Sequence, residues 1–136
     1  MEDTIFMKII RREIPAHIVY EDDETLAFLD VKPVNPGHTL VIPKKFAKNI
    51  FDVDETTLAA VMRTVQKVAY SLRETLGAEG INLHVNNEVA GGQAVFHLHV
   101  HVIPRFSNDG LEHWHGKEYA EGEAEKIAEK VRQSLF

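Results

Sequence analysis

The sequence contains no cysteine among its 136 residues, so it can form neither a disulfide framework nor a thiolate metal site. No apolar run approaches the roughly 18 to 20 residues that a membrane span requires. Basic residues are in the minority, with 15 Lys and Arg against 21 Asp and Glu and a formal net charge of −6. Since sequence-independent binding of nucleic acid requires a basic face, we expect no nucleic-acid partner.

The start of the chain, Met1 to Thr4, is acidic and unlike a signal peptide. We therefore expect a cytoplasmic protein that does not associate with membranes. The length fits one domain, and an apolar content of 44% is that of an ordinary globular protein. A chain of this size can bury a core without disulfides or a structural metal.

Hydrophobic periodicity predicts three helices and five strands. The longest helix carries an apolar stripe at spacings of three and four; Asp52 or Asp54 can cap its start, and Gly77 ends it. The predicted helices cover residues 5–14 (closed by Pro15), 55–76 and 118–135. The predicted strands cover residues 17–21, 25–30, 38–42, 81–86 and 96–106. This order, with short hairpin links, predicts an α+β domain in which a long helix packs on an antiparallel five-stranded sheet.

Three of the eight histidines, His97, His99 and His101, occupy alternate positions in the last predicted strand. Because side chains alternate along a strand, these histidines share one face and the intervening Leu98 and Val100 share the other. We expect the apolar face to pack beneath the long helix. We expect the histidine face to lie outside the core, since three unpaired imidazoles would be costly to bury.

Three interpretations of the histidine face are open. It can be a solvated polar surface without chemistry. Two of its histidines can chelate a metal ion, with His38 or His84 completing the ligand set, as in a metal hydrolase. Alternatively, the central His99 is a nucleophile that attacks phosphorus, and its neighbours bind phosphate oxygens or protonate the leaving group. In that case the upstream Gly91-Gly92-Gln93 can turn backbone N–H groups towards the phosphate.

The segment Gly92 to Pro104 resembles the signature of the histidine-triad (HIT) family, His-φ-His-φ-His-φ-φ, where φ is apolar. Three further blocks, in family order, resemble the Hint-type branch of purine nucleoside phosphoramidases: Thr4–Ala16, Leu26–Asp30 and Leu40–Lys45. The resemblance covers roughly Thr4 to Arg105. We therefore expect a single HIT domain over residues 1–136, with a core at about 4–106 and a C-terminal tail and helix over 107–136 similar to those of bacterial members.

The resemblance implies a homodimer whose sheets join into one larger sheet, with a site for a purine nucleotide of the AMP or GMP type. It implies that His99 attacks the α-phosphate to form a nucleotidyl-histidine, surrounded by His101, His97 and His38. Asp30 would bind the ribose hydroxyls. The apolar residues implied around the base are Ile5, Phe6, Ile9, Phe28 and Val31, and those on the phosphate side are Asn86, Gln93 and Ala94.

Simpler structural roles are open for several of these residues. Asp30 can be a turn or cap residue, and Asn86 can bond its local turn. The apolar residues near the start of the chain can simply be the core face of a helix. His38 can be structural, and His84, which alternates onto one face with its neighbouring asparagines, is expected near the site without a catalytic role.

The expected activity is cleavage of the α-phosphate linkage of a purine nucleoside phosphoramidate or related conjugate, releasing a nucleoside monophosphate. The alternatives are a dinucleoside polyphosphate hydrolase and a nucleotide-binding or protein-interaction module without turnover. No metal site and no cofactor are expected; Mg²⁺ would enter only with a polyphosphate substrate.

Three features depart from the Hint-type pattern. Ala94 stands where that branch has serine, and one lost hydrogen bond costs on the order of 1 kcal/mol, or about fivefold to tenfold in rate. Thr4 and Met7 stand where some bacterial relatives carry a zinc-binding Cys-x-x-Cys, so no zinc is expected there. The tail residues His113-Trp114-His115 are expected to approach the substrate, from the partner subunit.

Overall fold

Five antiparallel strands form one sheet in the spatial order β1-β2-β3-β5-β4. A computed structural model describes residues 3–135. The strands are β1 (Ile18–Glu21), β2 (Thr25–Leu29), β3 (Thr39–Pro43), β4 (Gly80–His84) and β5 (Val100–Arg105). The helices are α1 (Ile5–Ile10), α2 (Glu55–Leu76) and α3 (Glu123–Ser134), with one further turn of 3-10 helix at Val89–Gly91. The predicted α+β class with a five-stranded antiparallel sheet is confirmed.

The long helix α2 has the predicted boundaries because both ends are capped. The Asp54 carboxylate accepts the backbone N–H of Thr57 at 2.7 Å, and Gly77 ends the helix in the left-handed conformation. The apolar stripe of α2 packs on one face of the sheet, as predicted. The buried residues of this layer are Ala27, Val41, Val61, Val65, Val68, Leu72, Val100 and Val102.

The opposite face of the sheet is covered as well. Phe6 and Ile9 of α1 are buried against side chains of β2 and β3, namely Leu26, Phe28, Leu40 and Ile42. The histidines project on this side, where the ring of Phe6 meets the ring of His99 edge-on at 5.0 Å. The expectation that the histidine face lies outside the core is therefore wrong, because α1 covers a face that alternation alone leaves open.

Two predicted elements are shorter in the structure. Helix α1 ends at Ile10, four residues before the predicted end at Ile14, since Arg12 adopts a left-handed backbone (φ 64°). Strand β5 begins at Val100, because the backbone N–H of Leu98 donates to the carbonyl of Ala47, at 2.8 Å, outside the sheet ladder. The first two histidines therefore lie in an irregular segment that leads into the strand.

The charged C-terminal helix begins at Glu123, five residues later than predicted, after Gly122 in the left-handed conformation. None of its described residues is buried. Of the helices in residues 3–135, none combines the length and the apolar character needed to cross a membrane.

Gly37, two residues before β3, has a backbone conformation that residues with a side chain rarely adopt. Its φ is +101°, and an added Cβ would lie 2.5 Å from Cδ1 of Leu76 and 3.3 Å from Cδ2 of Leu72. A side chain at residue 37 would therefore strain the loop that carries His38 and would displace the end of Leu76.

We predict that Gly37→Ala lowers the free energy of unfolding by about 1–3 kcal/mol, from backbone strain and the contact with Leu76. Urea denaturation followed by circular dichroism measures this loss. Gly116→Ala is the matched control, because a Cβ there meets nothing within 4 Å. Equal stability of the two variants would contradict the conclusion that a side chain at residue 37 strains the loop.

Candidate active site

Neighbouring strands bring His38 and His101 together. His38 immediately precedes β3, and His101 lies in β5 opposite Leu40 of β3. Nε2 of His38 and Nδ1 of His101 are 3.0 Å apart. The two histidines are 63 residues apart in sequence, so this pair exists only because β5 inserts beside β3.

His99 is held by a main-chain acceptor. Its Nδ1 lies 2.7 Å from the carbonyl oxygen of His97. A carbonyl can only accept, so Nδ1 carries the proton and Nε2 keeps its lone pair when the ring is neutral. The residue is only 7% exposed, and burial lowers the pKa of His99. A neutral imidazole with a free Nε2 can act as a nucleophile or as a general base.

The proton order of the His38–His101 pair is also set by the main chain. The backbone N–H of Val34 donates to Nδ1 of His38 at 3.0 Å, so the neutral ring carries its proton on Nε2. That Nε2–H donates to Nδ1 of His101, which leaves the His101 proton on its own Nε2. Burial, together with the charges of neighbouring histidines, lowers the pKa of His101 to about 4, and burial lowers the pKa of His38 as well.

His97 does not point at a substrate site. The ring is completely buried, and its Nε2 donates to the carbonyl of Pro43 at 2.9 Å. The rings of Phe6 and Phe46 pack edge-on against it at 6.0 and 5.5 Å. Its Nδ1 is buried without a hydrogen-bond partner in the described chain, and burial lowers the pKa of the ring. The structure therefore does not support the predicted place of the His97 ring around the phosphate. His97 instead orients the ring of His99 through its main-chain carbonyl.

Asp30 takes the turn role left open for it, and its second carboxylate oxygen faces the histidines. Its Oδ1 accepts the backbone N–H of Lys32 at 2.9 Å, which is the turn role. Its Oδ2 lies 3.6 Å from Nε2 of His38. The carboxylate is only partly buried, so one oxygen stabilises the loop and the other faces the histidines.

The residues predicted around the base divide into two groups. Phe6, Ile9 and Phe28 are buried in the core between α1 and the sheet, and the ring of Phe6 meets the ring of His99. Ile5 and Val31 are exposed, by 48% and 84% respectively. The core role left open for the helix residues is therefore correct for Phe6 and Ile9, while Ile5 and Val31 present free apolar surface.

The glycine loop does not offer the predicted backbone donors. The N–H groups of Gly91 and Gln93 donate to the carbonyl of Glu88, and that of Gly92 donates to the carbonyl of Val89. These three groups close the local turn and are unavailable to an anion. Asn86 lies beside this turn, with its amide 3.8 Å from the position of a Cβ on Gly92.

The side chain of Gln93 anchors the loop instead of facing the site. Its Oε1 accepts from Asn49 at 3.1 Å and from the backbone of Glu88 at 2.9 Å. Its Nε2 donates to the carbonyls of Lys48 and Val95 at 2.8 and 3.1 Å. With each of these groups bonded to protein, Gln93 fixes the approach to the triad, and the adjacent Ala94 is exposed.

The sheet register adds His84 to the surroundings of the site. His84 of β4 lies directly opposite His101 of β5, so both side chains project on the same face. Its ring lies 6.0 Å from the exposed ring of Trp114 in the tail. Alternation along the strand predicts that His84 shares a face with the neighbouring asparagines. Only the pairing of β4 with β5 shows that its neighbour across the sheet is His101.

One group of side chains in residues 3–135 could approach a metal ion: the ligand atoms of Asp30, His38 and His101 lie within 4.8 Å of one another. Nε2 of His38 and Nδ1 of His101 share a hydrogen bond, so a metal ion bound by these two atoms would have to displace the proton between them. At the start of the chain, Thr4 caps α1 by accepting the backbone N–H of Met7 at 3.2 Å.

Comparison with known proteins identifies the class to which this fold and this histidine cluster belong. The HIT domain family matches residues 11–108, and the chain belongs to this family. A HIT-family member from Bacillus subtilis, known from its crystal structure, is 36% identical, with a TM-score of 0.90 and coverage of 99% of both chains. That likeness includes the C-terminal tail and helix.

Two further relatives carry functional names. A protein of Sulfolobus tokodaii described as a hypothetical histidine triad nucleotide-binding protein is 38% identical, with a TM-score of 0.74, covering 93% of this chain and 87% of that one. Adenylylsulfatase HINT3 of Arabidopsis thaliana is 39% identical over 109 residues, which are 80% of this chain and 55% of that protein. The predicted membership of the HIT family, on its Hint-type side, is confirmed.

We predict that the protein loses stability as the pH falls below about 6.5, the ordinary pKa of histidine. Below that pH the histidines bind protons in the unfolded chain but stay neutral in the folded one, so the free energy of unfolding falls. For His101, with a pKa of about 4, the loss between pH 7 and pH 5 is about 2 kcal/mol. Urea denaturation at both pH values measures it. His101→Asn is expected to reduce the pH dependence of the free energy of unfolding, and His113→Asn, at an exposed position, is the control. Equal stability of the native chain at both pH values contradicts the prediction.

Proposed function

We propose that this chain is a hydrolase or transferase for purine nucleoside phosphoramidates or related nucleotide conjugates. It cleaves the linkage at the α-phosphate through a nucleotidyl-His99 intermediate and releases a nucleoside monophosphate. The observation that carries the proposal is the 2.7 Å hydrogen bond from Nδ1 of His99 to a main-chain carbonyl, which leaves Nε2 of a neutral ring as the attacking atom. Hydrolase-like and nucleotide-binding relatives within the family support this chemistry.

In the first step, Nε2 of His99 forms a bond to the α-phosphorus and the bond from phosphorus to the leaving amine breaks. The leaving nitrogen takes up one proton from the solvent as it departs, so a neutral amine is released. The modified ring becomes an imidazolium, and its Nδ1–H donates to the carbonyl of His97, which stabilises the new positive charge. In the second step, water attacks phosphorus, the bond to His99 breaks, and water returns one proton to the solvent.

The neighbouring side chains have complementary roles in this proposal. The Nε2–H of His101 donates to an α-phosphate oxygen, and His38 maintains that proton order from the other side. The free Oδ2 of Asp30 accepts from a ribose hydroxyl. Phe6, with the exposed Ile5 and Val31 near the ends of their elements, supplies apolar contact for a purine base, and Asn86 supplies an amide on the phosphate side. No metal or cofactor takes part in these steps, although a polyphosphate substrate would carry Mg²⁺.

A second substrate class is favoured by one relative, the Arabidopsis adenylylsulfatase. Adenylyl sulfate presents the same α-phosphorus, with sulfate in place of an amine as the leaving group. A panel of AMP and GMP phosphoramidates, adenylyl sulfate and a dinucleoside polyphosphate therefore distinguishes the leaving groups with one enzyme preparation. Nucleotide binding without turnover of any of them would identify a binding module instead.

We predict that His99→Ala lowers kcat/KM for AMP phosphoramidate by about 1000-fold or more, because the attacking atom is lost. Release of AMP, followed by chromatography, measures the rate. The variant is expected to remain folded and to bind AMP, and His17→Ala, at an exposed position, is the matched control. Full activity in His99→Ala overturns the mechanism.

We also propose a homodimer in the cytoplasm, formed through the β4 edge of the sheet. β4 is a terminal strand in the sheet order, so its outer backbone groups are free to pair with a second copy. Exposed apolar residues lie beside this edge: Leu83 on β4, and Met62 and Tyr70 on α2. Joining two β4 edges would cover these residues and extend the sheet across the dimer.

We predict that Leu83→Glu dissociates the dimer, since a carboxylate would be buried at the joined edge. Sedimentation equilibrium gives the mass of each variant. Val19→Glu is the matched control, because Val19 is similarly exposed on β1 at the opposite edge of the sheet. A native chain that sediments as a monomer, or a Leu83→Glu dimer of unchanged affinity, contradicts this arrangement.

A further inference from the structure

The loop between β2 and β3 decides which nitrogen of His38 carries the proton. Without an outside donor, a neutral imidazole can hold its proton on either nitrogen. The backbone N–H of Val34 donates to Nδ1 of His38 at 3.0 Å, and the backbone N–H of His38 donates to the carbonyl of Asn35 at 3.0 Å. The loop has no regular secondary structure between residues 31 and 38. Besides these local hydrogen bonds, an attachment to the rest of the fold helps to hold the Val34 amide in position.

The side chain of Asn35 provides that attachment. Its Nδ2 donates to the carbonyl of Pro104 at 2.8 Å and to Oδ2 of Asp109 at 3.1 Å. Pro104 belongs to β5, the strand that carries His101. The Asn35 amide thus connects the His38 loop to β5, which carries His101, and to the turn that follows β5.

Asp109 is in turn a rigid acceptor. Its carboxylate accepts from Nε of Arg105 at 2.8 Å and Nη2 at 3.2 Å, and from the backbone N–H groups of Phe106 and Leu111 at 3.0 and 3.1 Å. The Arg105 guanidinium and these donors hold the pKa of Asp109 well below its usual range. Arg105 is itself bound to Asn82 of β4 at 2.6 Å. The acceptor for Asn35 is therefore ionised and anchored to the sheet.

We propose that Asn35, held by Asp109, is a positioning residue that keeps the Val34 amide on Nδ1 of His38 and so keeps the His38 proton on Nε2, facing His101. The catalytic consequence rests on the proposed function, whereas the proton position is a property of the folded chain alone. When this attachment is removed, the loop no longer selects one tautomer, and His101 loses the donor that fixes its own proton on Nε2.

The test is Asn35→Ala, which removes both donors and leaves the backbone carbonyl in place. Two-bond ¹⁵N–¹H NMR correlations of the histidine rings report which nitrogen of His38 is protonated at pH 7. We expect native His38 to be protonated on Nε2 only, and the variant to show a mixture of both tautomers. With AMP phosphoramidate, we expect kcat to fall about tenfold with KM nearly unchanged, equivalent to the loss of about one well-placed hydrogen bond.

Two further variants keep the test decisive. Asn35→Ser retains one donor, and we expect it to show a His38 tautomer ratio between those of the native chain and Asn35→Ala. This variant replaces Asn35→Ala in the NMR measurement if the latter folds poorly. Asn108→Ala, which removes an exposed asparagine beside Asp109, is the matched control and should leave the spectrum and kcat unchanged. A His38 ring protonated only on Nε2 in both Asn35 variants overturns the proposal.

The NMR reading and the kinetic reading separate the two proposals. If the native chain turns over no nucleotide conjugate but the tautomer mixture appears in Asn35→Ala, the proposed function fails and the positioning role holds. If turnover is found and Asn35→Ala changes neither the tautomer nor kcat, the positioning role fails and the proposed function holds.

Discussion

The hydrogen bond from Nδ1 of His99 to the carbonyl of His97 depends on an unusual local backbone. The two residues precede β5, and Leu98 between them donates its N–H to Ala47 outside the sheet ladder. The carbonyl of His97 is thereby free for a side chain, and the anchored ring of His97, bonded to Pro43, keeps it in place. A single main-chain acceptor thus selects the tautomer of His99 and leaves the nitrogen on its far side unprotonated.

Burial on both faces of the sheet gives the site its electrostatic character. The helix α2 covers one face, and Phe6 of α1 covers part of the other, where it contacts the rings of His97 and His99. Removal of water disfavours the charged imidazolium and lowers the pKa of the four clustered histidines. The same burial that makes the fold sensitive to acid therefore keeps the rings neutral, the state in which imidazole is a nucleophile.

Main-chain groups, more than other side chains, determine the proton positions in this site. The carbonyl of His97 orients His99, the carbonyl of Pro43 orients His97, and the amide of Val34 orients His38. Main-chain donors and acceptors cannot exchange roles, so each imposes one tautomer on its ring. The Asn35–Asp109 attachment belongs to the same arrangement, because it holds one of these main-chain groups in place.

Much of the architecture could be predicted from local patterns. The stripe of α2 and the number of strands follow from the periodicities of 3.6 and 2, and the caps of α2 follow from its flanking aspartate and glycine. The three histidines also lie on one side of the sheet, although two of them precede β5. The end of α1 could not be predicted, because it depends on the left-handed backbone of Arg12. The start of β5 could not be predicted either, because it depends on the hydrogen bond from the Leu98 N–H to the carbonyl of Ala47. The roles of Gln93 and of the glycine amides also depended on partners distant in sequence or on the closure of the turn.

The sequence by itself determined that His97, His99 and His101 share a face and that the chain carries the blocks of a HIT protein. Only the tertiary structure decided that this face is buried, that the carbonyl of His97 orients the ring of His99, and that His38 and Asn35, in the loop before β3, lie against β5. The physical reason is that alternation is local, whereas strand order and the covering of a face arise from contacts between segments tens of residues apart.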